Sequence, residues 1–251
     1  MALMHRHARR ALLNFLLPNS ASDPPASALS SLFPSPDSAD AYGLVCIGGD
    51  LDADRLLDAY RNGIFPWPLI PGVRKMQWWS PDPRAIFELN QFHVSRRLAR
   101  TIRSGKFTVT TDRDFAAVIR GCATAQTRRW STWLTGEMIA AYERLHKLGH
   151  AHSVEVWYEG QLAGGTYGIA IGGVYAGESM FYSVRDASKV ALAHLITHLG
   201  DRGYQLFDIQ QLTDHTQSLG AIEIPRRQYL TRLRHALIMQ VQFGAMPPTL
   251  T

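Results

Sequence analysis

The alternation of apolar and polar positions is clearest in the second half of the chain. Ser153 to Tyr158 alternates, Glu159-Gly160 reads as a turn, Leu162 to Ile171 is a glycine-rich apolar run, and Gly172-Gly173 leads into a further strand, Val174 to Phe181. Strands joined by such short turns form an antiparallel meander. From Ala187 to Leu199 the period lengthens, with Leu192, Leu195, Ile196 and Leu199 at helical spacing, and Tyr204 to Gln210 returns to strand alternation. Strand, helix and strand in this order favour a parallel crossover that closes a mixed sheet.

On that last strand Leu206, Asp208 and Gln210 point to one face, while Phe207 and Ile209 point to the other. By the same rule Ala176, Glu178 and Met180 share a face of the strand before the helix. An acid beside an amide on an interior strand needs partners, because an unpaired buried polar group costs about 1–3 kcal/mol.

Upstream, Gly43 to Gly63 offers a short apolar run, a Gly48-Gly49 turn and a helix with Leu56, Leu57 and Tyr60 on one face, capped by Asp52 or Asp54 and ended by Gly63. Phe65 to Pro68 and Trp78 to Arg84 are rich in proline and aromatics, which predicts rigid segments without regular structure. Helices are predicted over Phe92–Ile102, Asp114–Gly121 and Gly136–Leu148, a strand over Phe107–Thr111, and a last helix opened by Pro225 and carrying Leu230, Leu233 and Leu237. Residues 18–40 are dominated by Ser, Pro, Ala and Asp and predict a flexible segment. The expected fold is α+β. A flexible extension over residues 1–40 precedes a small N-terminal α/β domain over 41–90, and an acetyltransferase-like mixed-sheet domain with a basic helical surface occupies 91–251.

With 251 residues, 46% of them apolar, the chain has enough material for a sizeable core. No stretch is long enough to span a membrane. Basic residues precede a short apolar run, Ala11 to Leu17, but Asn14 breaks it and no small-residue cleavage site follows, so a secretory signal is a poor match. Cys46 and Cys122 form neither a CxxC motif nor a disulfide framework, which fits a reducing cytoplasm. His146, His150 and His152 lack an acid or cysteine at ligand spacing, and no metal or cofactor is expected. The net charge of +5 is concentrated. Arg96, Arg97, Arg100, Arg103, Lys106, Arg113, Arg120, Arg128 and Arg129 share a segment whose acids are Asp112 and Asp114, which is either a solvated helix face or a surface for phosphates. Trp67, Trp78 and Trp79 either pack a seam between domains or form a stacking platform for a base.

A mixed sheet of this order points to acyl transfer by analogy with acetyltransferases. Acyl-CoA enzymes of that type carry a glycine-rich turn before the crossover helix, where backbone amides hold pyrophosphate. Phe181 to Lys189 contains no glycine, so a CoA donor is disfavoured. An aminoacyl ester of tRNA is an alternative donor that needs neither ATP nor metal and accounts for a basic surface. Asp208 and Gln210 could orient the attacking amine and draw off its proton. They also weigh against a purely RNA-binding protein, and no Ser-His-Asp or Cys-His arrangement points to a covalent intermediate.

The motifs GLVCIGGDL (Gly43 to Leu51), GIFPW (Gly63 to Trp67), WWSPDPRA (Trp78 to Ala85), LGHAHSVEVW (Leu148 to Trp157), GESMF (Gly177 to Phe181), ASK (Ala187 to Lys189), FDIQ (Phe207 to Gln210) and DHTQSLGAIEIPRRQY (Asp214 to Tyr229) together resemble the bacterial leucyl/phenylalanyl-tRNA-protein transferases. The resemblance runs from about Pro34 to the last helix and implies a monomeric cytoplasmic enzyme. It would move Leu or Phe, and less well Met, from aminoacyl-tRNA to proteins with N-terminal Arg or Lys, marking them for degradation. Carried over by motif, the resemblance implies a catalytic Asp208 and Gln210. It places contacts to the terminal adenosine on Trp67 and Trp133 with Tyr142 nearby, and a substrate-contacting glutamate on Glu178. The side-chain pocket would be lined by Met180, Leu192, Leu195 and Phe207. Arg96, Arg97, Arg100 and Arg103 are the expected tRNA-binding residues. Glu155 and Glu178 are both available to read the cationic acceptor. Two positions depart from the family pattern. Thr166 stands where Met is usual, which predicts a smaller, more polar pocket wall, and Thr213 replaces an Asn, which weakens an expected hydrogen bond to the nucleotide.

Overall fold

The computed structural model describes residues 31–70, 72–124 and 133–246. The chain divides into two compact units, Met1–Asp82 and Pro83–Thr251.

In the first unit β1 (Leu44–Ile47), α1 (Ala53–Arg61), β2 (Phe65–Pro66) and β3 (Gln77–Trp79) follow one another, and the strands form an antiparallel sheet in the order β1-β3-β2. Helix α1 buries Leu56, Leu57, Ala59 and Tyr60, the face its spacing predicts. At its end Gly63 takes φ +71°, which lets the Ile64 N–H return to the Ala59 carbonyl at 2.8 Å. The segments around Trp67 and Trp78 differ from the expectation of irregular structure, since β2 and β3 pair through them. Pro66 is compatible because it ends an edge strand, where the missing N–H costs no ladder bond. Trp78 and Trp79 pack as core: the Trp78 indole donates to the Gly48 carbonyl and the Trp79 indole to the Trp67 carbonyl, both at 2.7 Å. Residues 31–40, expected to be flexible, are held against this unit. Phe33 sits edge-on to Trp78 with ring centroids 4.6 Å apart, and the Ser31 hydroxyl and Leu32 N–H donate to the Asp58 carboxylate. The remainder of the expected extension, residues 1–30, lies outside the described residues.

The second unit contains β4 (Arg84–Phe87), α2 (Arg96–Arg103), β5 (Thr108–Thr111), α3 (Phe115–Thr124), α4 (Gly136–Lys147), β6 (Ala151–Tyr158), β7 (Gln161–Ile171), β8 (Val174–Tyr182), α5 (Ala187–Arg202), β9 (Leu206–Gln210), α6 (Asp214–Gln217), β10 (Ile222–Ile224) and α7 (Arg226–Leu237). The sheet order is β10-β4-β9-β8-β7-β6-β5, with β8–β9 parallel and every other pair antiparallel. The meander and the parallel crossover thus form as the alternation predicts. Helix α5 presses Leu192, Leu195, Ile196 and Leu199 onto one face of the sheet, in a core that includes Val154, Val156, Tyr175 and Phe207. Tyr229, Leu230 and Leu233 of α7 cover Ile86, Val174 and Leu206 on the other face. Leu206 and Phe207 therefore point to opposite sides, as period-two alternation requires.

Strand β4 was not anticipated. Its four residues are buried without alternation, and it inserts between β9 and β10, so Arg84–Phe87 joins this sheet although it precedes the expected division at residue 90. Helix α2 starts later than predicted because the Ser95 hydroxyl accepts the Leu98 N–H and caps it there. Among the described residues no helix is long and apolar enough to cross a membrane.

Candidate active site

The parallel pair β8–β9 is short: Val174, Tyr175 and Ala176 face Leu206, Phe207 and Asp208, and there the ladder stops. Beyond it each strand carries an irregularity. On β8, Gly177 faces Gly168 and Ser179 faces Tyr167, which leaves Glu178 as the extra residue of a bulge. The two glycines are required by close packing. A Cβ on Gly168 would overlap the Ala176 carbonyl and the Tyr175 ring, and one on Gly177 would come within 2.9 Å of the Phe207 ring. The bulge corrects the expectation that Ala176, Glu178 and Met180 share a face. Met180 packs in the same core as Tyr175, the neighbour of Ala176, so the alternation shifts between them. On β9, Ala85 faces Gln210 and Ile86 faces Asp208, leaving Ile209 unmatched, and Gln210 adopts φ +58°.

A continuous polar chain crosses this split. Arg84 and Asp208, each 1% exposed, form a two-point ion pair, Nε to Oδ1 at 2.8 Å and Nη2 to Oδ2 at 2.6 Å. The Tyr229 hydroxyl donates to Oδ2 at 2.9 Å, and the Arg84 guanidinium lies 4.5 Å from the centre of the Tyr229 ring. The Gln210 N–H donates to Oδ1 at 2.9 Å. From there the Gln210 side chain reaches across, its Nε2 donating to Glu178 Oε1 at 3.2 Å, while the Tyr142 hydroxyl donates to Glu178 Oε2 at 2.9 Å. With Nε2 turned to Glu178, the amide keeps Oε1 as its acceptor. Burial alone would lower the Arg84 pKa, but the charge of Asp208 and the neighbouring Tyr229 hold it above the ordinary value, so Arg84 stays cationic. Burial likewise pushes the Tyr229 phenol well above its usual pKa against the opposing pull of Arg84, which keeps it a neutral donor.

The structure brings Asp208, Gln210, Glu178 and Tyr142 into one chain. Tyr142 is fully buried, with its hydroxyl on Glu178. Glu155 is also fully buried. It accepts from the Thr110 and Ser153 hydroxyls and, at longer range, from the Arg113 and Asp114 N–H groups at the start of α3. Met180 is half-buried and faces Thr166 across the ladder. The Thr166 hydroxyl donates to the Ser179 carbonyl at 2.9 Å. Leu192, Leu195 and Phe207 belong to the core that α5 forms with the sheet, against which the half-buried Met180 packs. Thr213 uses its hydroxyl to cap α6 by accepting the Thr216 N–H.

Trp67 lies half-buried in the first unit and Trp133 half-buried just before α4 in the second. Arg96, Arg97, Arg100 and Arg103 are all exposed along α2, with Arg97 paired to Asp186 at 2.9 Å. Arg128 and Arg129 lie outside the described residues. An open cavity of about 880 Å³ is lined by Met180 and Tyr182 and, at its polar side, by Arg97, Arg185, Lys189 and His215. Among the described residues no group of three His, Cys, Asp or Glu side chains could hold a metal ion. The two residues that sequence reasoning missed are Arg84 and Tyr229.

A mixed sheet that parts beside a parallel pair, with an amide and a carboxylate meeting across the gap and cations at a neighbouring cavity, is an arrangement that suits the acyltransferase class. The chain belongs to the leucyl/phenylalanyl-tRNA protein transferase family, which matches residues 86–234, with the family's N-terminal domain matching residues 49–82. It is 48% identical over 220 residues to the leucyl/phenylalanyl-tRNA–protein transferase of Syntrophotalea carbinolica, covering 87% of this chain and 92% of that one. Against the protein of the same description from Solidesulfovibrio magneticus the identity is 52% over 206 residues, covering 82% and 83% of the two chains. With that of Pseudomonas syringae it is 49% over 193 residues, covering 76% and 83%.

Proposed function

We propose that this protein transfers Leu or Phe, and less readily Met, from aminoacyl-tRNA to the N-terminus of proteins beginning with Arg or Lys, marking them for degradation in the cytoplasm. The observation that carries the reading is the Gln210–Glu178 bridge across the split between β8 and β9, in a chain of this family. In the reaction the acceptor α-amine attacks the ester carbonyl. A C–N bond forms, the C–O bond to the terminal ribose breaks, the amine loses a proton and the ribose oxygen gains one. Gln210 Oε1 accepts from the amine and aims its lone pair at the carbonyl, with Asp208 behind it. Glu178, a half-buried carboxylate beside that amide, draws in the cationic acceptor end.

Met180 and Thr166 line the place for the transferred side chain, with Leu192, Leu195 and Phe207 forming its apolar floor. Apolar discrimination of this kind is worth only about 1–3 kcal/mol per methylene, which accommodates Leu, Phe and Met together. Trp133 stacks on the terminal adenosine, Trp67 is an aromatic contact that the first unit offers to the aminoacyl-tRNA, and Arg96, Arg97, Arg100 and Arg103 face the tRNA phosphates. The test supplies the purified protein with Leu-charged tRNA or with acetyl-CoA and a peptide beginning with Arg. Transfer of Leu is expected from the tRNA and nothing from acetyl-CoA; the converse, or no transfer from either, overturns the reading.

A further inference from the structure

We infer that Arg84 and Tyr229 are positioning residues for this reaction: with Asp208 they form a buried clamp that holds Gln210 in its left-handed conformation, and Asp208 acts through the Gln210 backbone and not as a base. The inference rests on the transferase reading and deepens it. Asp208 has two oxygens and room for about four hydrogen bonds. All four places are taken: Oδ1 accepts from Arg84 Nε and the Gln210 N–H, and Oδ2 from Arg84 Nη2 and the Tyr229 hydroxyl. With 1% of its surface exposed, the carboxylate has neither a lone pair nor a path for a proton from the substrate amine.

What Asp208 does hold is the backbone two residues on. The contact from its Oδ1 to the Gln210 N–H is the turn that an Asp side chain makes with residue i+2. Gln210 needs that support because at φ +58° a residue with a side chain is strained. The turn aims the amide at Glu178, so the reactive geometry of the split depends on how firmly Asp208 is fixed. Arg84 from β4 and Tyr229 from α7 fix it from two separate elements. A base would instead be set where its lone pair meets the substrate.

The experiment measures kcat and KM for Leu-charged tRNA and an Arg-initiated peptide, with rates normalised to titrated active sites and melting temperatures recorded in parallel. Four proteins are compared: the parent, Tyr229→Phe, Asp208→Asn, and the double variant Arg84→Met with Asp208→Asn. Removing the Tyr229 donor loosens one of the four bonds, and kcat is expected to fall about tenfold with both KM values within about twofold of the parent. Asp208→Asn takes from the buried Arg84 the carboxylate of its two-point pair and is expected to lose about a hundredfold or more in kcat. The double variant removes both charges yet keeps an oxygen for the Gln210 N–H, and is expected to recover at least about tenfold over Asp208→Asn.

A double variant no more active than Asp208→Asn would show that the Asp208 charge is itself required, and would overturn the inference. A Tyr229→Phe protein with parental kcat would do the same. Should Asp208→Asn not fold, the double variant is compared with the parent: activity within about a hundredfold supports the clamp, and a larger loss overturns it. A parent that transfers no Leu would count against the proposed function, a result distinct from any of these.

Discussion

Replacing Asp208 by Ala should unfold the second unit far more easily, and the structure sets the scale. Arg84 and Asp208 are each 1% exposed and joined at 2.6 and 2.8 Å, so truncation takes from a buried guanidinium the carboxylate it is paired with. Breaking a buried pair in this way typically costs about 3–5 kcal/mol. The Tyr229 hydroxyl and the Gln210 N–H lose their acceptor at the same time, and each orphaned donor is worth about 1–3 kcal/mol on its own. These losses overlap because they meet on one carboxylate, so the expected total is about 4–6 kcal/mol, a large part of a domain's stability. Urea unfolding followed by far-ultraviolet circular dichroism would read it as a lower midpoint at unchanged slope. Adding Arg84→Met to Asp208→Ala removes the stranded charge and should restore part of the stability. A parental urea midpoint for Asp208→Ala, or a double variant no more stable than the single, would refute the view of this pair as a buried, mutually dependent unit.

The two glutamates should separate by assay: Glu178→Gln is expected to raise KM for an Arg-initiated peptide about tenfold or more with little change in melting temperature, whereas Glu155→Gln should lower the melting temperature and leave that KM alone. Reversing Arg96, Arg100 and Arg103 to Glu should weaken tRNA binding and flatten its salt dependence, with a log–log slope shallower by about 0.7–0.9 for each phosphate no longer neutralised, measured by filter binding across a salt series. Acid should destabilise the fold in two stages. Burial holds the His194 and His198 pKa values below the usual 6.5, so these rings stay neutral in the native state while the unfolded chain takes up protons. Their contribution is therefore present above pH 6.5 and lost as the pH falls through the lowered values. Glu88 is lowered from 4.5, first by its hydrogen bonds to Arg232, so its contribution survives to lower pH and disappears as that carboxylate is protonated. Urea midpoints that do not fall between pH 7.5 and 5.5 would contradict the histidine assignment.

Much of the second unit was legible because its strands are half-patterned and its turns carry glycine. The parallel crossover followed from element order alone, and the opposite facing of Leu206 and Phe207 followed from strand alternation. What failed were features that depend on a partner strand. The bulge at Glu178 exists only relative to β7, so alternation along β8 misplaced Ala176 against Met180. Strand β4 is buried throughout and offers no period to read, which hid Arg84 even though a charged residue opening an apolar run was a signal that it needed a partner. That partner lies 124 residues away, and Tyr229 lies 145 away, at core spacing with Leu233 on α7. No local rule links those positions; the sheet order does.

The buried ion pair is best understood as the end of a chain of requirements that begins at the cleft. For its amide to cross to Glu178, the backbone at Gln210 must turn where β8 and β9 part, and it does so in a left-handed conformation that costs on the order of 1–3 kcal/mol. A glycine would relieve the strain but would remove the amide that the turn exists to present. An Asp two residues earlier stabilises such a turn by accepting the N–H, and strand alternation then directs that Asp under α7, away from water. A carboxylate there requires a cation, and Arg84 on the neighbouring strand supplies it with the two-point geometry that fixes orientation as well as charge. An apolar pair of similar volume could make the sheet more stable, but it could not hold the Gln210 N–H. The charge at Asp208 therefore follows from the position required of Gln210.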